Sequence, residues 1–379
     1  MKKIGILTFH RSINYGSILQ AWALEQFLLD AKYNVEIIDY EPQEYKSIYG
    51  LFDSAKSKVI LRENIKRLLY LDLLLIQKQQ FNKFRNSNLV QSQKKFFFNS
   101  DLEEMAKKYD CIICGSDQIW NVRARDCDPA YFLPIKHTCK KIAYAASINS
   151  MDFTEEYDFN QMKKWLEDFD LISVRESSGA EKLQRFLNRK NLIYTAIDPT
   201  LLHNKEKYNS ICSERIIPEK YIFLYTITYH KDTIKKALEM GKKFKIPVYT
   251  IATTRNASIL LDLRRKGIKI IRKKSSPSDF LSYIKHAELV VTNSFHGTAF
   301  SVNYEKSFIA VNDRQKDNSY MEDERILNLL NKLELTDRYV HGDEKGGDLE
   351  EIQYANIHCK KEKLINASKK MLLRILEED

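Results

Sequence analysis

The sequence predicts an α/β fold made of two Rossmann-like domains facing each other across a cleft. Three observations predict it. Short apolar runs rich in Ile, Val and Leu alternate with helical stretches along most of the chain, the pattern of buried parallel strands joined by crossover helices. A polar stretch over residues 203–214 interrupts the alternation, which then resumes. Finally, 379 residues exceed what one hydrophobic core usually organises.

Taken in order, residues 2–9 form the first expected strand. Residues 17–30 form a helix with Leu19, Trp22, Ala23 and Phe27 on one side. A strand over 34–40 precedes a basic helical segment, 56–95. Further strands are expected over 110–114, 141–146, 170–174 and 192–197. The second series places strands at 221–228, 248–252, 268–271, 287–292 and 308–311, with helices at 232–244 and 277–285 between them. Residues 361–376 read as an amphipathic helix carrying Leu364, Ile365, Ala367, Met371, Leu372 and Ile375. The expected division is 1–204, 205–342 and a C-terminal segment, 343–379, that crosses back to the first domain.

Composition narrows the function classes. Hydrophobic content of 44% with 30% charged residues fits a globular chain, not a disordered one. The apolar run after the N-terminal lysines covers only residues 4–9, too short for a secretion signal, and no run approaches a membrane span. The expected location is the cytoplasm, with peripheral contact at the inner face of the membrane. Cys111 and Cys114 form a C-x-x-C, but within an apolar strand, where residues three apart face opposite ways. They read as buried structural cysteines, and no metal site is expected. The net charge of +10 favours acidic partners. Much of it lies in 56–95, where Lys58, Arg62, Lys66 and Arg67 alternate with leucines. This segment reads as a helix covered by its own domain or as a membrane-surface element. No nucleic-acid recognition motif is present.

The candidate chemistry sits at strand ends, where open α/β sheets bind ligands. In LVVTNSFHGTAF, an apolar run ends in small polar residues, then His296 and Gly297 open a helix. Helix N-termini attract anions, and a histidine with an ordinary pKa of ~6.5 exchanges protons at neutral pH. After the first strand, Asn14, Tyr15, Gly16 and Ser17 make a turn into a helix, with Gly16 allowing close approach to a ligand. A single glycine does not make a dinucleotide fingerprint. CGSDQIWN supplies Asp117, Gln118 and Trp120, a set suited to sugar hydroxyls and an apolar sugar face or, equally, to a capped turn with Trp120 in the core. Arg175 ends another strand, where its fork can hold phosphate or carboxylate or simply pair with Glu176.

Together and in this order, NYGSILQAWAL, CGSDQIWN, AYAAS, SVRE, IDPTLL and TNSFHGTAFS resemble the polysaccharide pyruvyl transferase family. The resemblance implies a fold similar to the GT-B glycosyltransferase architecture. It also implies transfer of pyruvate from phosphoenolpyruvate, as a ketal, onto two hydroxyls of one sugar, with no cofactor. Arg175 matches the family arginine that contacts the donor, and His296 matches its histidine, the expected acid–base residue. Many members carry an arginine where this chain has Ser294. Arg314 and Lys316 are the expected substitutes on the donor side with Ser294 and Gly297, and Arg325 is a further candidate. Asn14, Tyr15, Gly16, Asp117, Gln118 and Trp120 are assigned to a sugar or lipid-linked glycan acceptor. Two other readings share the observations: a GT-B-like glycosyltransferase using a nucleotide sugar, and a non-catalytic glycan- or membrane-surface-binding protein.

Overall fold

The computed structural model describes residues 2–42, 44–53, 57–97, 101–136, 139–149, 153, 159–188, 192–315, 317–342, 344 and 350–378. Among these residues, twelve strands form two separate six-stranded sheets. The first contains β1 (Lys3–Leu7), β2 (Asn34–Ile37), β3 (Cys111–Cys114), β4 (Lys140–Ala146), β5 (Leu171–Val174) and β6 (Tyr194–Thr195), in the order β2-β1-β3-β4-β5-β6. The second contains β7 (Ile222–Tyr225), β8 (Val248–Ile251), β9 (Lys269–Ile271), β10 (Leu289–Thr292), β11 (Phe308–Asn312) and β12 (Tyr339–His341), ordered β12-β11-β10-β7-β8-β9. Every neighbouring pair is parallel.

The strands read as continuous apolar runs because both faces of each sheet are covered. In β3, β5, β7, β10 and β11 every residue is buried. Cys111 and Cys114 are free and buried and belong to different apolar clusters, as strand alternation requires. β12 escaped the sequence reading. It is three half-buried residues at a sheet edge, too short for a periodic signal.

Each sheet reverses strand order once. In the first sheet the reversal lies between β1 and β3, and in the second between β7 and β10. Such points leave a crevice beyond the strand ends, because the two connecting helices depart to opposite faces. The crevices of the two sheets face each other, which gives the cleft its location.

Two polar or basic stretches pack more closely than their composition suggests. The stretch 203–214, which interrupts the strand alternation, is not a free linker. It contains the Lys205–Asn209 helix, His203 bonds the Ala23 carbonyl at 2.8 Å, and buried Tyr208 donates to the Thr200 carbonyl at 2.8 Å. The basic segment is not one helix, and it packs on both halves. It divides into Lys58–Arg67, a short 3-10 turn and Leu71–Asn88. Its Arg67 donates to the Arg255 carbonyl at 3.0 Å on the second half, while Gln77 donates to the Tyr15 hydroxyl at 2.8 Å and Phe81 packs on the Tyr15 ring on the first.

The C-terminal helix, Tyr354–Glu377, is longer than its apolar periodicity suggested and straps both halves. Near its start, Tyr354 donates to the Lys306 carbonyl at 2.7 Å. Further along, the Ser368 hydroxyl accepts from the Ile197 amide at 3.1 Å, and the Leu376 carbonyl accepts from Lys2 at 2.9 Å.

Candidate active site

A cavity of about 350 Å³ lies between the two reversal points. The first half contributes Asn14, Asp117, Gln118 and Asn149; the second contributes Thr228, His230, Asn293, Ser294, Phe295 and His296. Each group comes from a turn following a strand, so the cavity is a direct product of the topology.

The first-half turns are built by short polar contacts. Asn14 caps the Tyr15–Asp30 helix, its side chain accepting from the Gly16 amide at 2.9 Å. Ser17 donates to the Asp117 carboxylate. Asp117 itself has φ of 82°, a left-handed backbone that a non-glycine residue rarely adopts. It is held there on both sides: its carbonyl accepts from the Ser147 amide at 2.8 Å, and one carboxylate oxygen accepts from the Gln118 amide at 2.8 Å.

In the second half Ser294 caps the Phe295–Asn303 helix, accepting from the Gly297 amide at 3.5 Å. Gly297 has no room for a side chain, because a Cβ would collide with the Thr292 hydroxyl. The His296 ring reaches across the cleft and lies directly on Gly16, where a Cβ would collide with the imidazole. One glycine of the first half therefore makes space for the histidine of the second.

Asp198 joins the two halves from behind. It is buried and accepts from Arg175 at 2.8 Å, the Ser116 hydroxyl at 2.7 Å, and the Thr200 amide and hydroxyl at 2.9 and 2.7 Å. His296 Nε2 stands 3.8 Å away. Burial alone would push the Asp198 carboxyl up, but His296 and Arg175 facing it hold it well below the usual carboxylate range. Arg175 Nε and Nη2 and His296 Nε2 are buried without a hydrogen-bond partner. The nearest carboxylates to the two guanidinium nitrogens, Glu176 and Asp117, stand 3.9 and 3.8 Å away, beyond hydrogen-bonding range.

Arg175 and His296 both face Asp198, but they are not two walls of one chamber: His296 lines the main cavity and Arg175 a neighbouring recess. The Arg175 guanidinium lies against the Phe295 ring at 4.7 Å. Phe295 lines the main cavity and also a recess of about 20 Å³ that holds Arg175 and Arg325. Among the described residues lining the main cavity, Arg325 is the one arginine or lysine. It pairs with Asp323 through Nε at 2.9 Å. Burial works against its charge, yet Asp323 more than compensates and raises its pKa.

Three assigned residues lie elsewhere. Trp120 is buried, donates to the Tyr131 carbonyl at 2.9 Å and stacks on Phe132; it is a core residue, not a sugar platform. Tyr15 is buried, donates to the Ser275 carbonyl at 3.0 Å and stacks on Phe280, so it cements the two halves together. Arg314 is forked onto Asp232 at 3.0 and 2.8 Å and does not line the cavity. Lys316 lies outside the described residues.

Asp198 and Ser116 were missed as a site because an Asp-Pro turn and a lone serine carry no chemical signature in sequence. Asp313 and Asp323 were missed for the same reason. With Asp117 and Glu322 they give the lining four carboxylates. Asp313 accepts from the Thr233 amide and hydroxyl at 2.8 and 2.7 Å and from Asn293 at 2.8 Å. Among the described residues no cluster of three or more His, Cys, Asp or Glu side chains is placed to hold a metal ion.

The fold is GT-B-like, with a cavity at the interdomain crevice. Solved structures share this fold at low identity. The UDP-GlcNAc 2-epimerase of Methanocaldococcus jannaschii superposes with a TM-score of 0.51 and 14% identity, covering 99% of both chains. A putative UDP-N-acetylglucosamine 2-epimerase from Listeria monocytogenes gives 0.50 and 9%, covering 99% of this chain and 95% of its own. An E. coli structure described as trehalose-6-phosphate bound with UDP-2-fluoro glucose also gives 0.50 and 9%, covering 100% and 99%. A comparison with curated proteins returns no match. The family model for polysaccharide pyruvyl transferase matches residues 14–314. The chain belongs to that family and is a transferase of polysaccharide biosynthesis, with a sugar or glycan as acceptor.

Proposed function

We propose that the protein forms a pyruvate ketal on a glycan precursor, with phosphoenolpyruvate as donor and no cofactor. One observation carries the reading. Three buried donors, two on Arg175 and one on His296, lack partners beside the interdomain cavity. Buried donors left unpaired cost about 1–3 kcal/mol each, and a small dianion at this junction would relieve that cost.

In the proposed reaction a proton is added to the donor methylene carbon, making the neighbouring carbon electrophilic. One sugar hydroxyl adds there, phosphate leaves, and the second hydroxyl closes the ring. One hydroxyl proton ends on the new methyl group and the other on phosphate. His296 moves these protons, with the buried Asp198 carboxylate 3.8 Å from its Nε2. Arg325 takes the place of the family arginine absent at Ser294, since it is the guanidinium that lines the cavity. The Ser294–Gly297 turn offers the donor the N-terminus of a helix. Asn14, Asp117 and Gln118 face the acceptor, where carboxylate and amide groups suit sugar hydroxyls.

The test incubates the protein with phosphoenolpyruvate and a panel of nitrophenyl and lipid-linked sugars. Phosphate release should depend on the acceptor, whose mass should rise by one pyruvate less one water. His296→Ala should keep its fold and lose about 10²–10⁴-fold in kcat. Turnover of nucleotide sugars without phosphoenolpyruvate would replace the proposal with glycosyl transfer. An unimpaired His296→Ala would remove the catalytic assignment.

A further inference from the structure

The Lys58–Arg67 helix and the turn after it are amphipathic in the opposite sense from a covered surface helix. The inward face is polar. Glu63 accepts from the Ala257 amide at 2.6 Å and the Ser258 hydroxyl at 2.9 Å. Asn64 bonds both backbone groups of Asp53, at 3.2 and 2.8 Å, and Arg67 pairs with the Asp53 carboxylate at 2.7 Å. The outward face is apolar. Leu61, Ile65, Leu68 and Leu69 follow the i, i+4, i+7, i+8 spacing of a single stripe and are 49–60% exposed. Lys58 and Arg62 are exposed along its flank; Lys66, also exposed, donates to the Ser258 hydroxyl at 2.8 Å, and Glu63, the one acidic residue between 57 and 70, is turned inward.

We infer that this face docks on an anionic lipid bilayer. An apolar stripe bordered by long cationic side chains matches an interfacial helix, whose leucines enter the acyl boundary while lysine and arginine reach the headgroups. Its polar inner face is already bonded to the protein, so the element is presented rigidly and pays little ordering entropy on contact. A second copy of the chain is a poorer occupant. A two-fold pairing of this patch would set Lys58, Arg62 and Lys66 against their own counterparts. The inference concerns the surface alone and does not rest on the identity of the donor.

The experiment sediments the full-length protein with vesicles of phosphatidylglycerol and phosphatidylcholine in equal parts, or of phosphatidylcholine alone. Binding to the anionic vesicles is expected, weakening with salt because exposed charges are screened. I65D/L69D should bind at least about tenfold less, and K58Q/R62Q should lose the preference for phosphatidylglycerol. All four positions are exposed, so the melting temperature should hold, and the transferase assay with soluble sugars should be unchanged. Absence of binding by the wild-type chain, or equal binding by I65D/L69D, would overturn the inference. So would a dimer in velocity sedimentation that I65D/L69D dissociates, which would assign the face to a second copy.

Discussion

Asp198 shows how much one buried carboxylate organises. It draws Ser116 from the turn after β3, Arg175 from the end of β5 and His296 from the opposite half. Its depressed pKa fixes the sign of an acid effect. Stability from a lowered carboxyl is fully present above its unfolded value, ~3.9, and is lost as pH falls from there through the still lower folded value. Asp198→Asn should therefore cost about 3–5 kcal/mol at neutral pH, since it leaves the buried Arg175 charge without its closest counter-ion. In urea titrations its deficit relative to wild type should shrink as the pH drops below ~4. A deficit independent of pH would mean that the carboxylate charge is not what the site needs.

At the scale of elements, the site is built from turns that follow strands of both sheets, and their quality depends on how closely the backbones approach. Gly16 opens the Tyr15–Asp30 helix where the His296 ring of the other half lies. In an ordinary helix, glycine to alanine gains up to about 1 kcal/mol. Here Gly16→Ala should instead displace the imidazole or part the halves, lowering kcat by about 10²-fold or more in the acceptor-dependent phosphate assay, with little change in helicity. The bulge in β4 is a second such device. Ala145 takes φ of 50° where the β4–β5 register shifts. Its amide donates to the Ser173 hydroxyl at 3.0 Å, and its carbonyl accepts from Ser116 at 2.9 Å. This gives AYAAS and SVRE a physical meaning: they shape the backbone that aims Asp117 and Arg175.

At the scale of the whole molecule, two sheets without a shared strand are held in one arrangement by the C-terminal helix and by cross-cleft contacts such as Tyr15 to Ser275. Leu372, fully buried near the end of that helix, anchors its first-domain contact. Leu372→Ala should cost about 2–5 kcal/mol, read as a lower urea midpoint. A midpoint equal to wild type would show that the strap contributes no net stability.

The sequence by itself determined the two Rossmann-like halves and the strand-end positions of Asn14, Asp117, Arg175 and His296. Apolar runs of strand length alternating with helices leave few alternatives, and parallel sheets bind ligands at one edge. Only the tertiary structure decided how those residues meet. Asp198 became a hub because distant turns converge on it. Trp120 and Tyr15 left the site because core packing claimed their rings, and Arg314 was taken by Asp232 while Arg325 reached the cavity. The leucines of 61–69 stayed outside because Glu63 and Arg67 found partners within. Periodicity fixes which residues share a face; which neighbour that face meets depends on long-range contacts that no local pattern records.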